Sequence, residues 1–341
     1  MTEPTTEPRP TLEVVAARAG VSRATVSRVV NGGAGVRAPL ADKVRQAVEE
    51  LGYVPNHAAR TLVTRRNGAV GVIIAEPEFR IFSDPFFERQ LRGISRELTA
   101  LDSQLVLLWA ESPGEYDRIA SYLGGGHVDG ALAFSLHDDD ELPALITRAR
   151  IPTVFGGRPP ARQELAVPYV DCDNRGGARE AVRHLVSLGR RRIGHIAGPR
   201  DLMAAVDRVD GYRDVLIDAD PALTSQGDFT EEGGARAMAE LLDRCPDLDA
   251  VFAANDLMAA GALRTLRERG ARVPDDVAVV GFDDVVSVAG ATEPALTTVH
   301  QDIEGMGRLM VRLLMRLLDG TDGSVPESVI TPTELVRRAS A

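Results

Sequence analysis

Hydrophobic residues follow two different rhythms along the chain. From Thr11 to Leu51 they recur at helical spacing; from Ala69 onward they come in short continuous runs separated by amphipathic stretches. In the first region Leu12, Val15, Ala16 and Ala19 stand at i, i+3, i+4 and i+7, one stripe of a helix. Gly20 ends that helix, since glycine alone enters positive φ cheaply. Ser22 can cap the next one. There Val26, Val29 and Val30 face inward, and Ala24, Ser27, Arg28 and Asn31 face outward. A third helix begins at Pro39, with Leu40, Val44, Ala47, Val48 and Leu51 as its buried stripe and Gly52 as its stop. Two short helices around a glycine turn form a helix-turn-helix, or else an ordinary αα-corner. The outward Arg, Ser and Asn suit the edges of bases in a major groove.

The second rhythm predicts strands alternating with helices. Val70–Ala75 is apolar throughout, as in a strand buried on both faces. Further strands are expected at Leu105–Trp109, Val128–Phe134, Thr153–Phe155, Ala166–Val170, Ile193–Ala197, Ala250–Ala254 and Val277–Gly281. Helices are expected at Phe86–Leu101, Glu115–Leu123, Glu141–Arg150, Arg175–Leu188, Ala204–Asp218, Gly233–Arg244 and Asp256–Arg269. This is two successive parallel α/β halves. A helix over Asp302–Leu318 and a strand near Leu335 are expected to cross back between them.

Charge changes the picture only once it is located. The 341 residues carry a net −11, which by itself argues against a nucleic-acid partner. Yet residues 1–66 hold ten basic side chains against six acidic ones, a net +4, so the remainder is −15. A basic head on an acidic body confines attraction for DNA to one end. Cys172 and Cys245 stand in no metal or redox spacing. Residues 1–10 are polar and proline-rich, read as a disordered arm and not as a signal peptide, and no apolar run reaches membrane-spanning length. The reading is a cytoplasmic protein.

The run Thr11–Asn31 resembles the N-terminus of the LacI/GalR family of transcription regulators, "T-(I/L)-x-(D/E)-V-A-x-x-A-G-V-S-x-x-T-V-S-R-V-x-N", with Val14 where a small variable residue is usual. Tyr53 to Leu62 resembles the family's hinge, "Y-x-P-N-x-x-A-R-x-L". Alone this stretch is a plain linker, too short for a stable helix. The resemblance extends through Asp129-Gly130, Asp173-Asn174, His184-Leu185, Ala197-Gly198-Pro199, Asn255-Asp256 and Gly281-Phe282-Asp283-Asp284. It implies a three-helix helix-turn-helix head (11–54), a hinge helix and linker (55–68), and a two-lobed parallel α/β domain like periplasmic binding proteins (69–341). The first lobe is expected over about 69–188 plus 297–322, the second over about 189–296 plus 323–341. By the same resemblance, DNA contacts fall on Thr11, Ser22, Arg23, Ala24, Thr25, Ser27, Arg28, Asn31, Asn56, Ala59, Arg60 and Leu62, with Leu62 wedging between base pairs. The partners implied are a two-fold-symmetric operator, a small-molecule effector and a second copy of the chain. The chain ends at Ala341 without a leucine-heptad tail, so a dimer is expected and not a tetramer.

Ligands of parallel α/β sheets bind beyond the carboxyl ends of the strands. The polar and aromatic residues there are Asp84, Phe86, Phe87, Asp173, Asn174, Arg208, Phe229, Asn255, Asp256, Asp283 and Asp284. Each has a plainer use as a helix cap, core residue or surface ion pair. The resemblance selects Asp84, Phe86, Asn174, Arg208, Phe229, Asn255 and Asp283. Carboxylates, amides and aromatic faces suit a polyol, but they do not separate sugars from nucleobases; the resemblance implies a sugar effector, with a nucleobase as the alternative. The family motif Asn-Pro-Phe-Phe reads Asp84-Pro85-Phe86-Phe87 here, after a longer loop, Glu76 to Ser83. An enzyme is not expected: the one lysine, Lys43, lies in the head, no Gly-x-Gly-x-x-Gly opens the first helix, and the histidines are scattered. No cofactor is implied. The absent signal peptide and the basic head weigh against a solute-binding protein.

Overall fold

The computed structural model describes residues 10–31, 35–54, 66–138, 140–159, 167–218, 220–320 and 328–341. It divides at Asn67 into a head and a body.

The head is three helices, α1 (Leu12–Ala19), α2 (Arg23–Val30) and α3 (Ala38–Leu51). Thr11 caps α1 by accepting from the Val14 amide, and Gly20 stops it at φ 66°. Ser22 caps α2 by accepting from the Thr25 amide at 3.2 Å. Val15, Ala16, Ala19, Val26, Val44, Ala47 and Tyr53 form the core, and Val29, Val30 and Leu51 pack at its edge.

The body holds two six-stranded sheets. The first contains β1 (Ala69–Ile74), β2 (Gln104–Trp109), β3 (Gly130–Phe134), β4 (Thr153–Gly156) and β5 (Tyr169–Cys172). The second contains β6 (Ile193–Ala197), β7 (Thr224–Gln226), β8 (Ala250–Ala253), β9 (Ala278–Asp283) and β10 (Thr297–His300). The last two strands separate, β11 (Val329–Thr331) joining the first sheet and β12 (Glu334–Val336) the second. The orders are β11-β5-β4-β3-β1-β2 and β12-β10-β9-β8-β6-β7. Every pair is parallel except β10 with β12.

The helices that matter for the site are α4 (Glu78–Ser83), α5 (Pro85–Ala100), α8 (Asn174–Ser187), α9 (Met203–Val215), α11 (Asp256–Glu268) and α13 (Ile303–Asp319). The others are α6 (Tyr116–Gly124), α7 (Leu142–Arg148), α10 (Glu231–Arg244) and α12 (Val286–Ala289). α5 and α13 cross at near-contact distance: a Cβ on Gly93 would stand 2.1 Å from the Glu304 carbonyl oxygen. That approach requires glycine, and it fixes the helix bearing the first lobe's candidate residues.

The expected lobe limits shift. Helix α8 packs on the second sheet, where Gly177 meets Phe282, Val299 and Thr333. Strand β10 also belongs to the second sheet, and β11 to the first. The crossings therefore lie near Asp173, near Gln301 and between Thr331 and Glu334. The loop expected over Glu76–Ser83 contains helix α4. The strand expected at Ala166–Val170 is found at Tyr169–Cys172. The single expected last strand is two, because one short run serves both sheets.

Candidate effector cleft and nucleic-acid interface

A cleft of about 890 Å³, its open mouth included, lies between the lobes. All seven residues selected from the sequence line it: Asp84, Phe86, Asn174, Arg208, Phe229, Asn255 and Asp283. They come from different strand ends and helix starts, which is what a parallel sheet brings to its carboxyl edge.

The second lobe contributes a buried network centred on Arg208. This guanidinium, only 5% exposed, donates from Nε to Asn174 Oδ1 at 2.9 Å. Its Nη2 pairs with Asp283 Oδ1 at 3.3 Å, and its Cζ lies 3.7 Å from the centre of the Phe282 ring. Asn174 in turn donates to Asp171 Oδ1 at 3.0 Å, and Gln301 donates to Asp283 Oδ1 at 2.6 Å. Burial pushes the Asp283 carboxyl above the ordinary range, while Arg208 and Gln301 pull it back. Burial also raises Asp171, against amide donors from Arg158 and Cys172. A buried ion pair needs such donors, since the charges have lost their water.

Helix caps account for part of the sequence pattern. Asn255 caps α11, its Oδ1 accepting from the Met258 amide at 2.9 Å while its Nδ2 donates to the Phe229 carbonyl at 3.0 Å. Asp173, not Asn174, caps α8, which frees Asn174 for Arg208. Asp256 is structural: it accepts from Thr298 and from the Val285 amide at 2.8 Å, pinning the turn after β9. That turn is strained, with φ 105° at Asp283 and 52° at Asp284; Phe229 also stands at φ 64°. Non-glycine residues hold such angles only where surrounding structure fixes them.

The first lobe supplies Asp84, Phe86, Arg80 and Gln90. Asp84 caps α5, accepting from the Phe86 amide at 2.9 Å. Burial drives its pKa up to about 7, against that hydrogen bond and Arg80, with Asp283 adding to the rise. Phe86 stands edge-on to Phe87, ring centres 5.6 Å apart.

Several side-chain contacts tie the lobes across the cleft. Arg158 pairs with Asp207 at 2.5 Å. His137 Nδ1 meets Asp201 Oδ2 at 2.7 Å while its Nε2 lies 3.4 Å from Glu76 Oε1. Arg89 donates to the Asp284 carbonyl at 3.1 Å, and Arg80 sits 5.3 Å from the Phe229 ring centre. Hydrogen bonds to Glu76 and Asp201 push His137 up to about 9, the first being the larger cause and burial opposing both.

On the head, Arg23, Ala24, Arg28 and Asn31 are exposed and Ser27 and Thr25 half-buried. Asn31 Nδ2 donates to Ser27 Oγ at 3.3 Å. Arg23 pairs with Glu13 at 3.0 Å, both side chains well exposed. Thr11 and Ser22 serve as caps. Asn56, Ala59, Arg60 and Leu62 lie outside the described residues.

Residues 11–56 match the model for bacterial regulatory proteins of the lacI family, and residues 182–341 match the periplasmic binding protein-like domain. The chain is 49% identical over 336 residues to the HTH-type transcriptional regulator CelR of Thermobifida fusca, covering 97% of this chain and 98% of that protein. The chain belongs to the LacI family. It is a DNA-binding transcriptional regulator. MalR of Streptomyces coelicolor is 35% identical over 342 residues, 96% of this chain and 95% of that one. Among solved structures, a CelR–cellobiose complex superposes with a TM-score of 0.78 at 47% identity, covering 98% of this chain and all of that one. A lac repressor dimer bound to operator and an anti-inducer superposes at 0.84 with 29% identity, over 98% and 99% of the two chains.

The strand-end reading missed Arg80, Gln90, Arg158, Asp171 and Gln301, all on the cleft. Arg80 lies on the unforeseen α4, and Gln301 follows the unforeseen β10. Gln90 did carry a signal: with Phe87, Ile94 and Leu98 it falls on the buried stripe of α5, a polar residue at a core position.

Proposed function

We propose that this regulator is a repressor that binds a two-fold-symmetric operator as a homodimer, and that a neutral sugar in the interlobe cleft sets its operator affinity. The convergence of Arg208, Asn174 and Asp283 with Asp84, Phe86, Phe229 and Asn255 on one cavity carries the reading. Asp283 and Asn174 would take hydroxyls, Arg208 would orient both, and the Phe229 ring would cover a sugar's C–H face. Charge favours a neutral effector over a phosphorylated one. The cleft's arginines already face carboxylates: Arg208 with Asp283, Arg158 with Asp207 and Arg80 with Glu76. Asp84 and Asp171 add two buried carboxyls that accept from amide donors, a setting with no free cation for a phosphate among the described residues. Because a CelR similar at 47% identity has been solved with cellobiose, a β-linked disaccharide is the first effector to try.

In the head, Arg23, Ala24, Thr25, Ser27, Arg28 and Asn31 would face the major groove, with Thr11 and Ser22 near phosphates. Asn56, Ala59, Arg60 and Leu62 would serve the minor groove. No helix among the described residues is long and apolar enough to cross a membrane, and we place the regulator in the cytoplasm, beside its DNA. We read it as a regulator without enzymatic activity. The test is Asp283→Ala in a fluorescence-anisotropy titration with operator DNA. Cellobiose should shift the operator affinity of the native protein and leave that of the variant unmoved; a variant responding like the native protein would clear Asp283 of the role.

A further inference from the structure

Gln90 lines the cleft with a buried amide that the fold itself leaves almost unused. It is 3% exposed, on the inward stripe of α5, and it lines the cleft beside Phe87, Phe134, Gly156 and Met306. Its Oε1 has no hydrogen-bond partner, and its Nε2 meets only the Met310 sulfur, at 3.1 Å. Thioether sulfur is a weak acceptor, so both ends of the amide remain chemically unspent. A leucine would fill the same apolar corner without that loss. The backbone opposite makes room for the amide: a Cβ at Gly156 would stand 2.8 Å from Gln90 Nε2 and 2.9 Å from Phe134 Cβ.

We infer that Gln90 is a specificity residue, its amide exchanging hydrogen bonds with one hydroxyl of the effector at the first-lobe end of the cleft. The inference rests on the sugar reading above and deepens it. A hydroxyl both gives and takes a hydrogen bond, matching the two ends of an amide. The surroundings are apolar, so an analogue lacking that hydroxyl would leave the amide unpaired and be rejected strongly. A ligand with a methyl or a bare C–H at that position would fit by shape and fail by pairing.

The experiment is calorimetry on the full-length protein with cellobiose and its monodeoxy analogues, for native protein and for Q90L, beside thermal melting of both without sugar. Native protein should discriminate against one monodeoxy analogue by at least ten-fold. Q90L should bind cellobiose at least ten-fold more weakly, bind that analogue as well as cellobiose, and melt no lower than native protein. Equal cellobiose affinity in the two proteins, or the same analogue discrimination, would overturn the assignment of Gln90 alone. A Q90L protein that melts several degrees lower and weakens every analogue equally would make Gln90 structural and overturn it too. Native protein that binds neither cellobiose nor any other neutral sugar would instead sink the sugar reading, and this contact with it.

Discussion

Arg208 is the residue on which the cleft's electrostatics turn. It balances Asp283, holds Asn174 and stacks on Phe282, all out of water. Arg208→Met keeps the bulk and removes the charge, leaving Asp283 buried with Gln301 as its donor. Breaking a buried pair from one side costs about 3–5 kcal/mol. The lower figure is expected here, because burial already raises the Asp283 carboxyl and it can take a proton. Melting should fall by on the order of 10 °C, at roughly 2–4 °C per kcal/mol, and sugar binding should be lost; unchanged melting would contradict the pairing. At this scale strand ends offered eleven residues and the resemblance selected seven of them, all of which line the cleft. The sequence was silent where a side chain's meaning depends on a partner far along the chain. Nothing near Asp171 announces Asn174 and Arg208 as its neighbours, and no local pattern distinguishes Asp256, which pins a turn, from Asn255 beside it.

Among elements, loops that follow strands in one lobe meet helix starts of the other. His137 follows β3 in the first lobe and reaches Asp201 ahead of α9 in the second, with Glu76 behind it and Arg80 on Glu76. Its pKa is raised to about 9, so the protonated form is the one these contacts favour. The clamp is therefore at full strength below about pH 6.5, the ordinary histidine value, and is lost as pH rises through about 9. Comparing melting curves of the native protein and His137→Gln should show the native protein more stable at pH 6 and the difference gone by pH 10. A difference constant across that range would contradict the clamp. Long elements were legible: helices α1 to α3, the buried run of β1, and the α/β alternation all follow from periodicity. Short ones were not. β7, β10, β11 and α4 have three to six residues each, too few to show a period. Missing β10 and β11 also misplaced the lobe limits, because sheet membership is set by pairing across the chain.

At the scale of the molecule, charge and ligand response are divided between two parts. Residues 1–66 carry net +4 in a chain of net −11. Operator affinity should therefore fall steeply with salt, as phosphate contacts release counterions: log–log slopes of about −0.9 per contacted phosphate. A flat plot between about 50 and 200 mM salt would contradict a head that binds through arginines. A sugar can change that affinity only by binding the DNA-competent and the DNA-incompetent arrangements differently. The most direct measurement of the whole account is operator binding by fluorescence anisotropy across a cellobiose titration, run beside calorimetry of cellobiose on the same protein. The account predicts that operator affinity shifts with cellobiose and that the shift saturates at the concentration that fills the cleft. Cellobiose filling the cleft while operator affinity stays constant would contradict it.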